Sequence, residues 1–357
     1  MDLPAGLVTP CLVVDIARLD ANVAAMAALA RGRGLDLRPH AKTHKCLEIA
    51  AQQMAAGACG LTVATVAEAE VFAAGGCTDL FIAYPVWADA ARGARLRALT
   101  ERAALRVGVD SADAAAALGR AVPGLEVLVE VDSGHHRTGV APMDVAAVAT
   151  AAERAGLRVL GVFTFPGHAY APDAPGSAAA DEAAALAVAA AALAAAGIDP
   201  VVRSGGSTPS AAHTGAGLTE LRPGVYVFGD AQQLELGTIG ADAIALVAAG
   251  TVVSRAQGRG ERRIVLDVGS KVLGADRPAW ATGFGRVPGG PAARVTALSE
   301  HHATVTWPEG PPPELGATVA LVPNHVCAAV NLADELVVIR SGAVVDTWRV
   351  AARGANT

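Results

Sequence analysis

The sequence has few charged and few aromatic residues. Charged residues make up 17% of its 357 residues and aromatic residues 4%, whereas an average soluble domain is about 25% charged. Hydrophobic residues reach 52%, so the chain must bury a large core. A disordered tail or a linker protein is therefore excluded.

Several features typical of other protein classes are also missing. The 28 basic and 34 acidic residues are mixed along the chain and give a net charge of −6, so no basic run suits nucleic acid. The longest apolar stretch, residues 183–198, is mostly alanine and shorter than the roughly 18 residues that span a membrane. Five scattered cysteines and an N-terminus without a signal-like segment favour a reducing compartment. We therefore expect a cytoplasmic protein that binds neither nucleic acid nor membrane.

Short β-type runs alternate with alanine-rich helical stretches from about residue 36 to residue 230. Each pair takes about 20–30 residues, which is typical of βα units in a parallel sheet. The helical stretches include 45–56, 65–74, 143–155 and 178–196, and the eight β-type runs are centred near Leu37, Thr62, Phe81, Val107, Leu128, Val162, Val202 and Val227. Eight strands predict an α/β fold with a closed (β/α)8 barrel of the TIM type, although an open doubly wound sheet has a similar pattern.

After about residue 241 the pattern changes to β-rich runs punctuated by glycine and proline. Residues 283–291 are rich in both and are expected to form a mobile loop. The β-type segment 7–15 precedes the first helix, 16–30, and is expected to pair with this distal region. We therefore predict a barrel over residues 16–240 and a β domain formed by residues 1–15 and 241–357. The predicted distal strands are 244–254, 262–267, 293–298, 303–306, 317–322, 335–340 and 343–350.

Two lysines and two histidines follow the first predicted barrel strand, in Arg38-Pro39-His40-Ala41-Lys42-Thr43-His44-Lys45. Barrel enzymes place catalytic groups at the carboxyl ends of their strands. A lysine amine beside other cations is nucleophilic towards an aldehyde, as Schiff-base chemistry with pyridoxal phosphate requires. A surface cluster of lysine and histidine at the start of a helix is the alternative.

A glycine-rich loop, Arg203-Ser204-Gly205-Gly206-Ser207-Thr208-Pro209, follows the seventh predicted strand. Its glycines let backbone N–H groups approach an anion and its hydroxyls add donors, at a position where barrels commonly bind phosphate. Tyr226, in Leu221-Arg222-Pro223-Gly224-Val225-Tyr226, would close the same pocket. An ordinary Gly-Ser turn is the alternative.

Two more polar clusters follow predicted strands five and six. Residues 130–139 contain Arg137, which would contact the phenolate oxygen of a cofactor or would instead pair with Asp132. Residues 164–170 contain His168 and Tyr170, which offer an imidazole and a phenol to a substrate or simply line the barrel mouth.

A histidine and a cysteine lie two residues apart in Pro323-Asn324-His325-Val326-Cys327. On an extended segment their side chains would point to the same side. Such a pair suits Zn²⁺ at an open site with room for water and substrate. A buried thiol beside a loop histidine is the alternative.

These motifs occur in an order that resembles the D-threonine aldolase and D-serine dehydratase family, which belongs to the alanine racemase-like, fold type III pyridoxal phosphate enzymes. The resemblance extends from about Thr9 to Ala352 and implies a barrel, a β domain and a homodimer. It implies that Lys42 forms the Schiff base and that Arg137 contacts the phenolate oxygen. It further implies that Gly206, Ser207, Thr208 and Tyr226 hold the cofactor's phosphate and that His325 and Cys327 bind a divalent metal. Tyr170 is a further candidate for contact with the cofactor.

The reaction can be narrowed by its chemistry. Racemases of this fold use a tyrosine from the β domain as second base, but the chain has no tyrosine after Tyr226. A metal at a β-hydroxyl assists both C–C cleavage and loss of hydroxide. We expect a lyase acting on D-β-hydroxy-α-amino acids, with retro-aldol cleavage of D-threonine to glycine and acetaldehyde as the leading reaction and His168 or a metal-bound hydroxide as the base.

Other activities stay open. D-serine dehydration to pyruvate and ammonia would use Lys42 to take the Cα proton, and it is favoured by a thiolate ligand, which prefers Zn²⁺ over Mn²⁺ or Mg²⁺. An amino-acid racemase is disfavoured by the missing tyrosine. A protein that binds pyridoxal phosphate without turnover is disfavoured by the β domain with its candidate metal pair.

Overall fold

The structure is a computed structural model that describes residues 1–215, 217–256 and 262–357. Its contacts group the chain into two compact units. The first unit comprises Met1–Ala25, Thr43–Ile49 and Val225–Arg353, and the second comprises Met26–Lys42, Ala50–Gly224 and Gly354–Thr357.

Strands and helices alternate through the first two thirds of the chain. Several helices begin at a side-chain cap: Thr65, for example, accepts the N–H of Glu68, which satisfies a backbone donor that has no partner inside the helix. The elements are β1 (Cys11–Asp15), α1 (Ile16–Gly32), β2 (Asp36–Leu37), α2 (Leu47–Ala55), β3 (Leu61–Val63), α3 (Val66–Ala74), β4 (Asp79–Pro85), α4 (Ala90–Thr100), β5 (Ala104–Val109), α5 (Ala112–Ala121), β6 (Glu126–Glu130), α6 (Val145–Arg154), β7 (Arg158–Phe163), α7 (Pro175–Ala195), β8 (Val202–Gly205), β9 (Glu220–Leu221) and α8 (Ala231–Glu235).

The rest of the chain is rich in strands. The elements are β10 (Leu246–Arg255), β11 (Arg263–Leu266), α9 (Ser270–Leu273), β12 (Gly285–Val287), β13 (Gly290–Leu298), β14 (Ala303–Thr306), β15 (Thr318–Pro323), α10 (Val326–Leu332), β16 (Glu335–Arg340) and β17 (Ala343–Arg349).

Eight strands of the second unit form one parallel sheet in the order β2-β9-β8-β7-β6-β5-β4-β3. The sheet closes because His40, just beyond β2, forms a parallel bridge with Thr62 of β3. The N–H of Thr62 donates to the carbonyl of Pro39 at 2.8 Å. The predicted α/β fold with a closed eight-stranded barrel is therefore confirmed.

One strand of this barrel differs from the prediction. The eighth strand is Glu220–Leu221, whereas residues Val225–Val227, where the sequence analysis places it, form a 3-10 turn. Pro223 and Gly224 separate the two segments. Proline lacks the N–H that a central strand donates, so the strand ends before it.

Helix α7 is longer than the apolar stretch of the sequence suggests. Its 21 residues are long and apolar enough to cross a membrane by length and composition, and a third of the apolar window is buried. The expectation that this stretch is shorter than a membrane span is therefore wrong. The buried residues of α7 recur every three or four positions, as in a helix that packs one face on a core. Core helices of this kind also have high hydropathy.

The barrel interior is layered. Phe81, Leu128 and Phe163 form an apolar layer, with the rings of Phe81 and Phe163 edge to face at 5.1 Å. Towards the amino ends of the strands lies a group of buried ion pairs in which Arg38 contacts both Glu220 and Asp79 at 2.6 Å. Catalytic groups of barrels lie at the opposite end, after the carboxyl ends of the strands.

The first unit contains a nine-stranded sheet in the order β11-β14-β13-β12-β15-β10-β1-β16-β17, with β11 also paired to β10. That extra pairing closes six of the strands into a small barrel. Strand β1 pairs antiparallel with β10 and parallel with β16.

The predicted mobile loop at residues 283–291 contains strand β12, which pairs with both β13 and β15. The prediction is therefore wrong for Gly285–Val287. The glycines permit close strand contact: a Cβ atom at Gly283 or Gly285 would lie 2.7 Å from the carbonyl oxygen of Val295 or Val322, respectively.

Candidate active site

Lys42 lies in the 3-10 turn Ala41–Thr43, just after the first barrel strand. It is half-buried, and its Nζ lies 5.8 Å from the centroid of the Phe165 ring. The other lysine of the motif, Lys45, is buried and donates to Asn331 Oδ1 at 2.7 Å. Of the two lysines, Lys42 is therefore the candidate nucleophile at the barrel mouth.

The Phe165 ring brings several predicted residues together. The guanidinium carbon of Arg137 lies 5.3 Å from the ring centroid, and the Tyr170 ring lies at 6.2 Å. His135 packs on it edge to face at 5.5 Å. Because Lys42 contacts the same ring, residues from three segments of the barrel unit converge here.

Asp132 organises the loop after β6 without using Arg137. Its Oδ1 accepts the N–H groups of Gly134 at 2.9 Å and His136 at 3.0 Å, and its Oδ2 contacts His136 Nδ1 at 2.7 Å. Burial opposes ionisation, but these hydrogen bonds outweigh it and lower the pKa of Asp132. Arg137, which is exposed, lies over Phe165 instead.

His168 lies in the 3-10 turn Gly167–Ala169 after β7. Its Nε2 lies 3.3 Å from Asp181 Oδ2, while its buried Nδ1 has no hydrogen-bond partner among the described residues. A carboxylate on Nε2 favours the tautomer with its proton there, which leaves Nδ1 as an acceptor.

His135 is a site residue to which sequence reasoning assigns no role. Burial, followed by Arg137 and the nearby His168, lowers its pKa, which favours the neutral form of the ring. A Cβ atom at Gly167 would lie 2.6 Å from the His135 ring. Glycine at that position therefore lets the loops after β6 and β7 pack together.

The predicted phosphate loop is folded tightly after β8. Gly206 has φ +81°, and a Cβ atom there would lie 2.2 Å from Leu221 Cδ1, so this position requires glycine. Its N–H donates to Glu182 Oε1 at 2.6 Å. The N–H of Ser207 donates to Ser210 Oγ at 2.9 Å. Ser207 and Thr208 are both buried.

Two buried charges lie behind this loop. Burial raises the pKa of Glu182 to about 7, against the opposing effects of the Gly206 N–H and Arg222. Arg222 is also buried and donates to Ser204 Oγ and to the Thr164 carbonyl, both at 2.5 Å. The loop therefore rests on a charged, hydrogen-bonded layer.

Tyr226 belongs to the first unit, in the 3-10 turn Val225–Val227, and is buried. Its predicted contact with the phosphate stays a prediction.

The candidate metal pair also lies in the first unit. His325 is the N-cap residue of α10 and Cys327 lies in its first turn, so the prediction that both lie on an extended segment is wrong. Strand β15 ends at Pro323 and the helix begins three residues later. The two side chains nevertheless hydrogen-bond to each other.

Charges gather around this pair. Burial lowers the pKa of His325, but Cys327, Asp230 and Asp276 outweigh it and raise it to about 9. Burial raises the pKa of Asp230 to about 6, and its Oδ2 accepts the N–H of Val326 at 3.2 Å.

The donor set of the pair is a nitrogen and a sulfur, as Zn²⁺ prefers. Within the described residues, no group of three histidine, cysteine, aspartate or glutamate side chains is arranged to hold a metal, so the metal-binding role of this pair stays a prediction. Cys327 Sγ also donates to Thr43 Oγ1 at 3.2 Å, and Thr43 directly follows Lys42 in the chain. None of the five cysteines, all in the described part of the chain, forms a disulfide.

Sequence reasoning missed Phe165, His135, Asp181 and Glu182 as parts of this site. A signal exists for Glu182, because it is an acidic residue in the middle of a stretch made almost entirely of alanine. The contact of Asp181 with His168 joins residues 13 positions apart, and no local pattern predicts it.

Family comparisons cover most of the chain. Residues 14–232 match the model of the alanine racemase N-terminal domain, and residues 245–339 match the putative serine dehydratase domain. D-threonine aldolase from Arthrobacter sp. is 36% identical, with 97% of this chain and 93% of that protein covered. D-threo-3-hydroxyaspartate dehydratase from Delftia sp. is 34% identical, with 95% and 96% covered.

Solved structures agree over the same span. The Delftia dehydratase superposes with a TM-score of 0.89 at 32% identity, covering 98% of this chain and 99% of that one. D-threonine aldolase from Filomicrobium marinum superposes with a TM-score of 0.87 at 31% identity, covering 99% and 98%. Solved variants of the dehydratase include a histidine-to-alanine variant and a metal-free variant in which a cysteine two positions later is replaced by alanine.

Proposed function

We propose that this protein is a lyase acting on D-β-hydroxy-α-amino acids. The chain belongs to the alanine racemase-like family of pyridoxal phosphate enzymes, which includes D-threonine aldolase and D-threo-3-hydroxyaspartate dehydratase. The observation that carries the proposal is the convergence of Lys42 and Arg137 on Phe165. The His325 and Cys327 pair in the other unit adds the metal chemistry of such lyases.

The residues of the barrel mouth suit pyridoxal phosphate. Lys42 supplies the amine that links to the cofactor aldehyde, and Arg137 supplies a cation for its phenolate oxygen. The loop with Gly206, Ser207 and Thr208 carries the small residues and hydroxyls that suit a phosphate. Tyr170 and Tyr226 would add further contacts. When bound, the cofactor draws electrons from the bonds at the substrate Cα.

Each side chain then has a task. Lys42 moves a proton at Cα, and in the retro-aldol reaction His168 takes the proton of the β-hydroxyl on its unpartnered Nδ1. Asp181 holds the opposite nitrogen of the His168 ring and so fixes its orientation. Arg137 and the neutral His135 pack over Phe165 and limit the access of water to the reacting atoms.

His325 and Cys327 would hold a divalent metal, with Zn²⁺ favoured by the thiolate and Mn²⁺ or Mg²⁺ as alternatives. Such a metal supplies a Lewis acid for the β-hydroxyl. With two protein ligands it would retain positions for water and substrate.

Two reactions have separate support. Retro-aldol cleavage of D-threonine to glycine and acetaldehyde is favoured by the 36% identity to D-threonine aldolase. Dehydration, with D-serine or a related hydroxy amino acid as substrate, is favoured by the His-x-Cys spacing, which matches the positions substituted in the dehydratase variants. Both reactions use the same side chains, so product analysis must separate them.

The test is incubation of the purified protein, loaded with pyridoxal phosphate and either Zn²⁺ or Mn²⁺, with D-threonine, D-serine or D-threo-3-hydroxyaspartate, and with L-threonine as control. Glycine plus acetaldehyde from D-threonine establishes the retro-aldol reaction. Ammonia plus a 2-oxo acid establishes dehydration. Turnover of none of the D-substrates with either metal contradicts the proposal.

Three variants assign the roles. Lys42→Ala should lose the visible absorbance of the bound cofactor and all activity. His325→Ala should keep that absorbance and lose metal-dependent activity, whereas the exposed His302→Ala should keep both. Full activity of His325→Ala without added metal would exclude the metal role.

Two properties of the protein stay predictions. A homodimer is implied by the family resemblance, and light scattering of the purified protein would test it. A cytoplasmic location is favoured by five cysteines that form no disulfide among themselves.

A further inference from the structure

Helix α7 carries a buried acid where an apolar residue would cost less. Eight of its residues are buried, namely Pro175, Ala178, Ala179, Glu182, Ala185, Leu186, Ala189 and Leu193. Glu182 is the charged member of this set and is fully buried. A buried carboxyl group opposes folding unless it is well hydrogen-bonded. Its presence therefore indicates a task that alanine or leucine could not perform.

Glu182 is bonded to the glycine-rich loop. Its Oε1 accepts the N–H of Gly206 at 2.6 Å, while its Oε2 has no hydrogen-bond partner among the described residues. A Cβ atom at Gly205 would lie 2.4 Å from Glu182 Oε1. The glycine at position 205 therefore makes room for the carboxyl group.

The bond fixes a turn that glycine alone would leave flexible. Gly206 adopts φ +81°, a region that glycine enters easily but is not confined to. Holding its N–H against a rigid helix removes that freedom. The next residues, Ser207 and Thr208, are then presented in one orientation, with the N–H of Ser207 held in turn by Ser210 Oγ.

We propose that Glu182 is a positioning residue for the phosphate of the cofactor. Glu182 does not touch the phosphate, but it holds in place the loop that binds it. This inference rests on the proposed function, because it assumes that the loop binds the phosphate of pyridoxal phosphate. It assigns to a helix on the outside of the barrel a part in cofactor selection.

The test compares binding of pyridoxal phosphate with binding of pyridoxal, which lacks the phosphate. Glu182→Ala should weaken the affinity for pyridoxal phosphate up to about tenfold, the loss expected from one buried hydrogen bond, and leave the affinity for pyridoxal unchanged. Glu182→Gln keeps an acceptor for the Gly206 N–H and should restore affinity to within about twofold of the unaltered protein. The ³¹P resonance of the bound phosphate should shift in the alanine variant and not in the glutamine variant.

Two controls separate positioning from general damage. Glu153→Gln, the same substitution at an exposed position of α6, should change neither affinity. Gly205→Ala keeps Glu182 but displaces its carboxyl group, and it should selectively weaken the binding of pyridoxal phosphate, as Glu182→Ala does. This variant tests the proposal even if Glu182→Ala does not fold.

Three outcomes would overturn the proposal. The affinities for pyridoxal phosphate and pyridoxal could fall equally, neither Gly205→Ala nor Glu182→Ala could weaken the binding of pyridoxal phosphate, or Glu182→Gln could fail to restore it. If the unaltered protein does not bind pyridoxal phosphate at all, the proposed function fails first, and the two failures are thereby distinguished.

Discussion

The two ends of the barrel treat buried charge in opposite ways. Near the amino ends of the strands, Arg38 contacts Glu220 and Asp79 at 2.6 Å, and Arg106 contacts Glu126 at 3.3 Å and Glu220 at 3.5 Å. The carboxyl end has several buried atoms without a hydrogen-bond partner among the described residues, namely His168 Nδ1, Glu130 Oε2 and Glu182 Oε2.

The difference follows from what each end does. Closely paired charges hold neighbouring strands in register, and removing one partner leaves the other buried and unpaired. Unpartnered buried polar atoms destabilise the fold, so their presence at one end requires an explanation other than stability. In barrel enzymes the amino end serves stability and the carboxyl end serves catalysis, and the function proposed above assigns the same division to this protein.

The largest expected effect comes from breaking the paired end. Arg38→Met should leave Glu220 without its closest cation and lower the free energy of unfolding by about 3–5 kcal/mol. The protein that remains folded should still bind pyridoxal phosphate, because the Arg38 side chain contacts Glu220 and Asp79 at the amino ends of their strands, whereas the proposed cofactor site lies at the carboxyl ends. Urea unfolding, together with cofactor absorbance, measures both quantities.

A matched surface pair provides the control. Arg95 contacts Glu70 with two nitrogen–oxygen distances of 2.7 Å, but both side chains are partly exposed. Arg95→Met should change the free energy of unfolding by at most about 1 kcal/mol. If the two variants lose equal stability, burial is not what distinguishes the amino end.

The second prediction breaks the carboxyl end without affecting stability. His168→Gln removes the acceptor Nδ1 and should lower kcat by about a hundredfold to a thousandfold, the range for loss of a general base. The free energy of unfolding should change by at most about 1 kcal/mol, since Nδ1 has no partner to lose and the contact of Nε2 is with the exposed Asp181 at 3.3 Å. As a control, substitution of the exposed His213 by glutamine should leave full activity. If His168→Gln has the same kcat as the unaltered protein, His168 has no part in the mechanism.

The periodic parts of the fold follow from the sequence. Seven of the eight barrel strands lie where alternating apolar runs predict them, and β14 and β16 have the predicted bounds. These elements are set by local patterns of burial. The motif at Lys42 is also local, because a single turn after one strand places it.

Other features depend on contacts between distant segments. The strand at Glu220–Leu221 has two residues, too few for a periodic signal, and it exists because β2 and β8 flank it. The His325 and Cys327 pair meets across a helix start, where strand spacing does not apply. The bond from Glu182 to Gly206 spans 24 residues; the alanine-rich stretch makes the acid conspicuous, but nothing local identifies Gly206 as its partner.

The smallest expected effect sharpens the comparison through pH. Burial raises the pKa of Glu182 to about 7, so between about pH 4.5 and 7 the folded protein holds a proton that the unfolded chain releases, and stability falls as pH rises. At the paired end burial acts against ionisation, but Arg38 and the other donors outweigh it and lower the pKa of Glu220. The contribution of Glu220 to stability is therefore present above about pH 4.5 and is lost as pH falls through the lowered pKa.

Glu182→Gln should remove a slope of at most about 1.4 kcal/mol per pH unit in the free energy of unfolding between pH 5 and 7. Glu220→Gln should leave that slope intact and reduce the loss of stability in acid. Urea unfolding at a series of pH values measures both slopes. If Glu182 and Glu220 gave slopes of the same sign, the two ends of the barrel would not differ in how their buried carboxyl groups affect stability.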